Sequence, residues 1–193
     1  MEEQPPVTPR RIAVIGSPGG GKSTLATALA SAMGLPLIHL DREHWRPGWV
    51  EPDEADWRVR NARLVAREAW VIDGNYGSTL PLRLARAELV VWLDLPTRVC
   101  LAGALRRTWR FRRGGRPDMT EGCPERWDAE FLKFVAYIAT FRRRQRPRLV
   151  QALSAGGVPV VRVCSVAERR ALTQAVATGQ GWARLASSRM EMP

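Results

Sequence analysis

The residues best suited to chemistry lie together at positions 16–24, where the chain reads GSPGGGKST. Gly16, Gly21, Lys22 and Ser23 fill the defining positions of G-x-x-x-x-G-K-[ST], a loop whose backbone N–H groups surround a phosphate. Glycine permits the positive φ that such a wrap requires, and Ser17, Pro18, Gly19 and Gly20 complete the cradle. The Lys22 ammonium can reach the outer phosphate oxygens, the Ser23 hydroxyl can ligate Mg²⁺, and Thr24 leads into the following segment. Composition supports this reading. Of 30 lysines and arginines only Lys22 and Lys133 are lysines, so arginine fills almost every basic position except the one where a compact ammonium is needed.

Other groups are spaced to face this loop. Asp41 directly follows an apolar run at residues 35–40. Ligands of open parallel sheets gather at the carboxyl ends of strands, which places Asp41 near whatever the loop holds and makes it an acceptor-binding candidate; the alternative is a cap of the next turn. Asp73 closes a second run at residues 69–72, either to hold Mg²⁺ through a water or to begin an ordinary turn, and Gly74 lets backbone approach a ligand. Trp45 and Trp49, around the Pro47-Gly48 turn, either stack on the ring of an acceptor or anchor their loop on the core, and Tyr76 joins them as an acceptor-binding candidate. Arg106, Arg110 and Arg113 recur on one helical face, Gly114-Gly115 break that helix, and Cys123-Pro124 restart one that ends in Arg142-Arg143-Arg144. Such Arg-rich ends around a mobile loop, over about residues 106–146, form either a lid that closes on phosphates or two solvated faces.

Periodicity supplies the elements that must position these groups. Apolar runs at residues 12–15, 35–40, 69–72, 88–93 and 158–163 read as strands. Helical spacing follows Ser23 to Met33, with Gly34 as the cap, and recurs at residues 53–68, 79–86, 97–113, 148–153 and 165–177. Trp57, Asn61, Leu64 and Val65 share one side of the second helix; Val99, Leu101, Ala102 and Leu105 are expected to form the buried side of the fourth. Residues 42–49 read as a loop. Residues 1–9 read as disordered, 10–178 as one domain and 179–193 as a frayed tail. Strands alternating with helices, a phosphate loop after the first, indicate a doubly wound α/β sheet.

At 193 residues the chain can bury a core without staples. Its net charge of +11 suits either an arginine-rich chain with a phosphate-handling site, the favoured reading, or a polyanion such as nucleic acid. Cys100, Cys123 and Cys164 are odd in number and lack metal-ligand spacing, which fits reduced thiols and a cytoplasmic location, and no apolar run is long enough for a membrane span. Nothing in the sequence separates a monomer from a homodimer.

With these pieces in place, the chain resembles the adenylate kinase-like P-loop proteins and, within them, the DNA topology modulation proteins. The resemblance rests on IGSPGGGKSTLA, LPLIHLDREHWRPGW, WVIDGNYGSTLPLRL, LVVWLDLP and GRPDMTEGCPERWDAEFLKFV, together with the arginine run at residues 144–148. It implies a five-stranded parallel sheet of order 2-3-1-4-5, ATP as donor with Mg²⁺, and a helical arginine lid. It also implies transfer of the γ-phosphoryl group to a nucleotide or small-molecule acceptor, or else a nucleotide-dependent, DNA-associated NTPase. Lys22 and Asp41 take catalytic roles by that resemblance, with Arg107, Arg116, Arg142 and Arg146 as phosphoryl clamps; Ser23, Asp73 and Asp41 serve the metal. Two departures stand out. The D-G-[FY]-P-R of nucleotide monophosphate kinases is here Asp73-Gly74-Asn75-Tyr76-Gly77, without the acceptor-gripping arginine, and the arginine that stacks on the donor adenine is replaced at about Gly103.

Overall fold

Four of the five strands are built from runs in which nearly every residue is apolar, as strands covered on both faces require. In the computed structural model, which describes residues 8–178, they are β1 (Arg11–Gly16), β2 (Leu37–His39), β3 (Trp70–Asp73), β4 (Leu89–Leu93) and β5 (Val160–Val163). All pair in parallel in the order β2-β3-β1-β4-β5, the expected arrangement. The remaining residues, 1–7 and 179–193, including most of the segments read as disordered, lie outside the described residues.

Alternate side chains of β1 enter separate cores. Ile12 and Val14 pack with Leu25 and Leu29 of α1 (Lys22–Met33) and with Leu172 and Val176 of α8 (Val166–Ala177). Ala13 and Ile15 face the layer of α3 (Glu54–Val65), α4 (Leu80–Leu84) and α7 (Arg146–Gly156), where Trp57, Leu84 and Leu149 are buried. Helix ends follow local chemistry: Gly34 closes α1 in the left-handed conformation, and Asp53 accepts from Ala55 N–H at the start of α3.

Three local expectations are corrected. The second strand is only three residues long, and residues read as loop belong in part to a short α2 (Leu40–His44), so Asp41 sits in a first helical turn. The helix expected to restart at Cys123-Pro124 begins later, as α6 (Ala129–Arg144), with Asp128 accepting from Phe131 N–H. Before it, Cys123 is buried and its Sγ lies 3.2 Å from Arg46 O, so tertiary contacts hold that segment irregular. The buried stripe of α5 (Thr97–Phe111) is Cys100, Ala104 and Thr108, while Ala102 and Leu105 are exposed.

The α5 stripe is small because the helix lies directly on the phosphate loop. A Cβ at Gly103 would fall 2.1 Å from Gly19 O, and one at Gly19 would fall 2.1 Å from Cys100 O. The position at which the resemblance would place an adenine-stacking arginine therefore has room only for hydrogen. None of the described helices is long and apolar enough to cross a membrane.

Gly103→Ala is expected to destabilise the fold by about 1–3 kcal/mol, because overpacking there must push two backbones apart. Gly77→Ala, whose added methyl meets nothing within 4 Å, serves as the control. Urea denaturation of both variants checks the difference.

Candidate active site

The loop between β1 and α1 has the shape its glycines anticipate. Gly16, Gly19 and Gly21 have φ of 138°, 76° and 89°, and α1 starts at Gly21 with no side-chain cap and no acidic residue in its first turn. Its leading N–H groups thus point outward for an anion. Among the described residues Lys22 is held only by Ser17 O at 3.2 Å, and burial lowers its pKa against the raising effects of Asp41 and Asp73. A phosphate in the loop would supply a counter-charge. From the far end of the chain, Arg169 donates to Gly20 O at 2.8 Å and fixes the loop's outer edge.

Above the loop the strand ends converge in one cleft of about 2000 Å³. Ser23 Oγ donates to Asp73 Oδ2 at 2.8 Å, and His39 Nδ1 lies 2.5 Å from Asp73 Oδ1. Burial pulls the His39 pKa down, but the hydrogen bond and charge of Asp73 outweigh it and leave the pKa raised. Across the cleft, Tyr76 Oη donates to Asp41 Oδ1 at 2.8 Å; burial and the Asp41 charge push the phenol pKa far up, so Tyr76 stays a neutral donor. Trp45 and Trp49 meet edge to face with ring centres 5.3 Å apart, and both line the cleft. Ser23, Asp73, Asp41, Trp45, Trp49 and Tyr76 are therefore brought together.

The residues present fit a Mg²⁺–nucleotide group. A serine hydroxyl beside a carboxylate, over a cradle of backbone N–H groups, suits an ion that keeps waters and takes few protein ligands. Among the described residues there is no preformed cluster of three His, Cys, Asp or Glu ligands, so phosphate oxygens would complete such a shell.

The arginines divide sharply. Arg116 is buried and bidentate to Asp118, at 3.1 and 2.8 Å, with Glu125 at 3.0 Å and Asp41 Oδ2 at 3.9 Å. Burial raises the Asp118 pKa, yet Arg116 more than reverses that and holds the carboxyl well below the usual range. Arg107 lies 3.1 Å from Glu125 and over the Phe134 ring. Both line the cleft; Arg116 is engaged with carboxylates, whereas Arg107 has no hydrogen bond among the described residues. Arg146 is tied to Asp94 at 3.0 Å beside Trp92, and Arg142 is exposed on α6; neither lines the cleft. Arg106, Arg110, Arg148 and Arg170 do line it.

Gly114 and Gly115 are exposed, as a hinge should be, but the rest of the expected mobile loop is docked. Thr120 Oγ1 donates to Trp45 O at 2.7 Å, Gly48 N–H to Gly122 O at 2.9 Å, and Trp49 Nε1 to Pro124 O at 3.2 Å.

Two residues that sequence reasoning missed organise the floor. Asn75 clasps the end of β1, accepting from Gly16 N–H at 3.0 Å and donating to Gly16 O at 2.7 Å. Arg83, with no exposed surface, donates to Asn61 Oδ1, Thr79 Oγ1 and the carbonyls of Asn75 and Tyr76. Among the described residues no carboxylate accompanies it, and burial lowers its pKa to about 9. It holds the turn at Tyr76, whose φ is 36°, a conformation that a bulky residue adopts only under constraint. The asparagine inside DGNYG was a visible signal; an arginine in a brief helix was not.

The family model of the ATPase family associated with various cellular activities (AAA) matches residues 12–69, from the first strand to the end of α3 and just beyond. Among solved structures, a shikimate kinase from Acinetobacter baumannii in complex with shikimate is 18% identical with a TM-score of 0.54, covering 95% of this chain and 97% of that one. A gluconokinase from Sinorhizobium meliloti 1021 is 22% identical with a TM-score of 0.53, covering 93% and 94%. No curated protein sequence matches the chain. The likeness is one of fold: a P-loop kinase fold spanning nearly the whole chain.

Arg83→Met is expected to destabilise the fold by about 1–3 kcal/mol, because it leaves Asn61 Oδ1, Thr79 Oγ1 and the Asn75 and Tyr76 carbonyls without their donor; urea denaturation checks this. The His39–Asp73 pair carries a pH signature. A raised folded pKa contributes stability in full below the unfolded value of about 6.5 and loses it as pH rises through the folded value. Without ligand, denaturation midpoints should therefore fall with rising pH in that window more steeply for the parent protein than for His39→Gln.

Proposed function

We propose that the chain is a P-loop phosphotransferase that carries the γ-phosphoryl group of ATP to a hydroxyl of a small-molecule acceptor. The observation that carries this reading is the pairing of two carboxylates across one cleft: Asp73 on the Ser23 hydroxyl, and Asp41 with one oxygen on Tyr76 and the other 3.9 Å from Arg116. A hydrolase needs only the first of these.

In this reading Lys22, the loop amides and the α1 N-terminus bind the donor phosphates, and Ser23 with Asp73 would hold Mg²⁺, which when bound neutralises charge on the phosphate oxygens. Asp41 accepts the proton of the attacking hydroxyl, and Tyr76 fixes the orientation of its carboxylate. Arg107 and Arg116 frame the transfer site from the side of α5; Arg116 acts as an anchor rather than a free clamp, since its donors are engaged. The DNA topology modulation-like assignment is supported by the convergence of HLD, WRPGW, DGNY and RPDM on this single cleft. A cytoplasmic setting is part of this reading, from three cysteines that are odd in number and lack metal-ligand spacing. A second reading, a DNA-associated NTPase, is favoured by Arg142, Arg143 and Arg144, which form an exposed basic row outside the cleft.

Lys22→Ala should retain the fold by circular dichroism and lose turnover by roughly 10²–10³-fold, the cost of removing one preorganised charge from a transfer site. Unchanged ATP binding and turnover in that variant would overturn the assignment. ATP consumption that no acceptor stimulates, coupled to DNA affinity that falls steeply with salt, would select the second reading.

A further inference from the structure

Carboxylates are spread unevenly along the chain. Residues 95–117 hold seven arginines and no aspartate or glutamate, and residues 131–167 hold six with the same absence, so α5, α7 and most of α6 give the cleft acid-free walls. The acids gather at its centre, where Asp41, Asp118 and Glu125 surround Arg116. Away from that centre Arg106, Arg110, Arg148 and Arg170 line the cleft, are exposed, and have no ion pair among the described residues. At two edges the unmatched charge continues outside. Arg112 and Arg113 are exposed just beyond Arg110, and Arg142, Arg143 and Arg144 are exposed just before the junction of α6 and α7 at which Arg148 sits.

A small anion is gripped by guanidiniums that converge on one point. These are strung along a cleft and out of it, the pattern of a groove that follows a phosphate backbone. The cleft, at about 2000 Å³, also exceeds the roughly 300–1,000 Å³ of a site for one compact ligand. Aromatic rings accompany the charge: Phe134 and Tyr137 lie one turn apart on α6 and line the cleft, Phe134 beneath Arg107 and Tyr137 39% exposed. One open ring face is enough to stack one base, and only an unpaired base can stack there, which selects a single strand over a duplex.

We propose that this transfer site also phosphorylates the 5′-hydroxyl end of a single-stranded nucleic acid, whose chain leaves the cleft past Tyr137 and Arg148 toward Arg142, Arg143 and Arg144. The assignment rests on the phosphotransferase reading above and extends its acceptor from a free small molecule to a hydroxyl carried on a strand. The 5′ end is the one whose hydroxyl stands off the sugar on a methylene, so it reaches a recessed phosphorus while the strand stays outside. In the step, the 5′ oxygen forms a bond to the γ-phosphorus, the bond to the β,γ-bridging oxygen breaks, ADP leaves with that electron pair, and the hydroxyl proton passes to Asp41.

The test gives the full chain Mg²⁺ and ATP labelled at the γ-phosphate, and offers 5′-hydroxyl octanucleotides of DNA and of RNA, the same strands already 5′-phosphorylated, adenosine and glucose. A 5′-hydroxyl strand should be labelled with kcat/KM about tenfold above adenosine, and the better of DNA and RNA names the strand. With a non-hydrolysable ATP analogue, octanucleotide affinity should fall with salt on a log–log slope of about −2, the value for about three phosphate contacts. Tyr137→Ala should weaken strand binding about tenfold and Tyr137→Phe hardly at all. Arg143→Ala and Arg148→Ala should each flatten the slope by about 0.7, whereas Arg58→Ala, exposed on α3 and outside the cleft, should leave it unchanged. Adenosine or glucose labelled as well as any strand overturns the assignment and keeps the phosphotransferase. Equal labelling of strands with a blocked 5′ end overturns the choice of hydroxyl, and no labelling or binding of any strand overturns the proposal outright. Strands bound with a steep salt slope but never labelled, with no other acceptor labelled, overturn this proposal and the phosphotransferase together.

Discussion

The end of β1 is the constraint from which the cleft follows. At Gly16 the backbone turns out of the sheet so close to β4 that a Cβ would lie 2.3 Å from Leu93 O, and the Asn75 side chain closes the other side with two hydrogen bonds. Held from both neighbours, the strand can release its chain in one direction only. That direction lays Gly19 against Gly103 and sets Lys22 and Ser23 at the start of α1. Because Asn75 follows Asp73 by two residues, the clasp that orients the loop also fixes the carboxylate that meets Ser23. Donor site and metal-side carboxylate are thus positioned by a single backbone junction.

Much of this architecture was legible in the sequence, for identifiable reasons. Buried parallel strands need continuous apolar runs, so Ile12, Val71 and Val90 announced the sheet, and the glycines of the phosphate loop can be read because few other sequences suit three left-handed positions. The resemblance, rather than periodicity, supplied the strand order. Illegible parts were those in which a long-range contact decides the local state. Residues 123–128 have helical neighbours but are held irregular by Cys123 against Arg46 and by Glu125 among Thr108, Arg107 and Arg116. The inward face of α5 was misread because its contact surface is made by absent side chains, and hydrophobicity does not register Gly103 or Ala104.

Arginine shows the same limit most clearly. A composition in which almost all basic residues are arginine gives no hint of which are buried, paired or free. Three of them have unrelated tasks: Arg83 stiffens a turn from inside the core, Arg116 gathers carboxylates, and Arg169 reaches across 149 positions to a loop carbonyl. Burying a guanidinium without a carboxylate is costly, and Arg83 offsets that cost only by meeting several oxygens at once, which restricts the geometry of everything bonded to it.

The wall of the cleft that carries Trp45 and Trp49 is a seam between two stretches of chain some 75 positions apart, joined by Thr120 to Trp45, Gly48 to Gly122 and Trp49 to Pro124. Most of those bonds end on backbone atoms, so the seam specifies the path of each stretch more than its side chains. Individual pocket residues can change while the seam persists, but a change in length on one side displaces the other. Across descendants of this fold, the lining of the cleft would then drift by substitution within a fixed outline, and a new outline would require both stretches to be exchanged together.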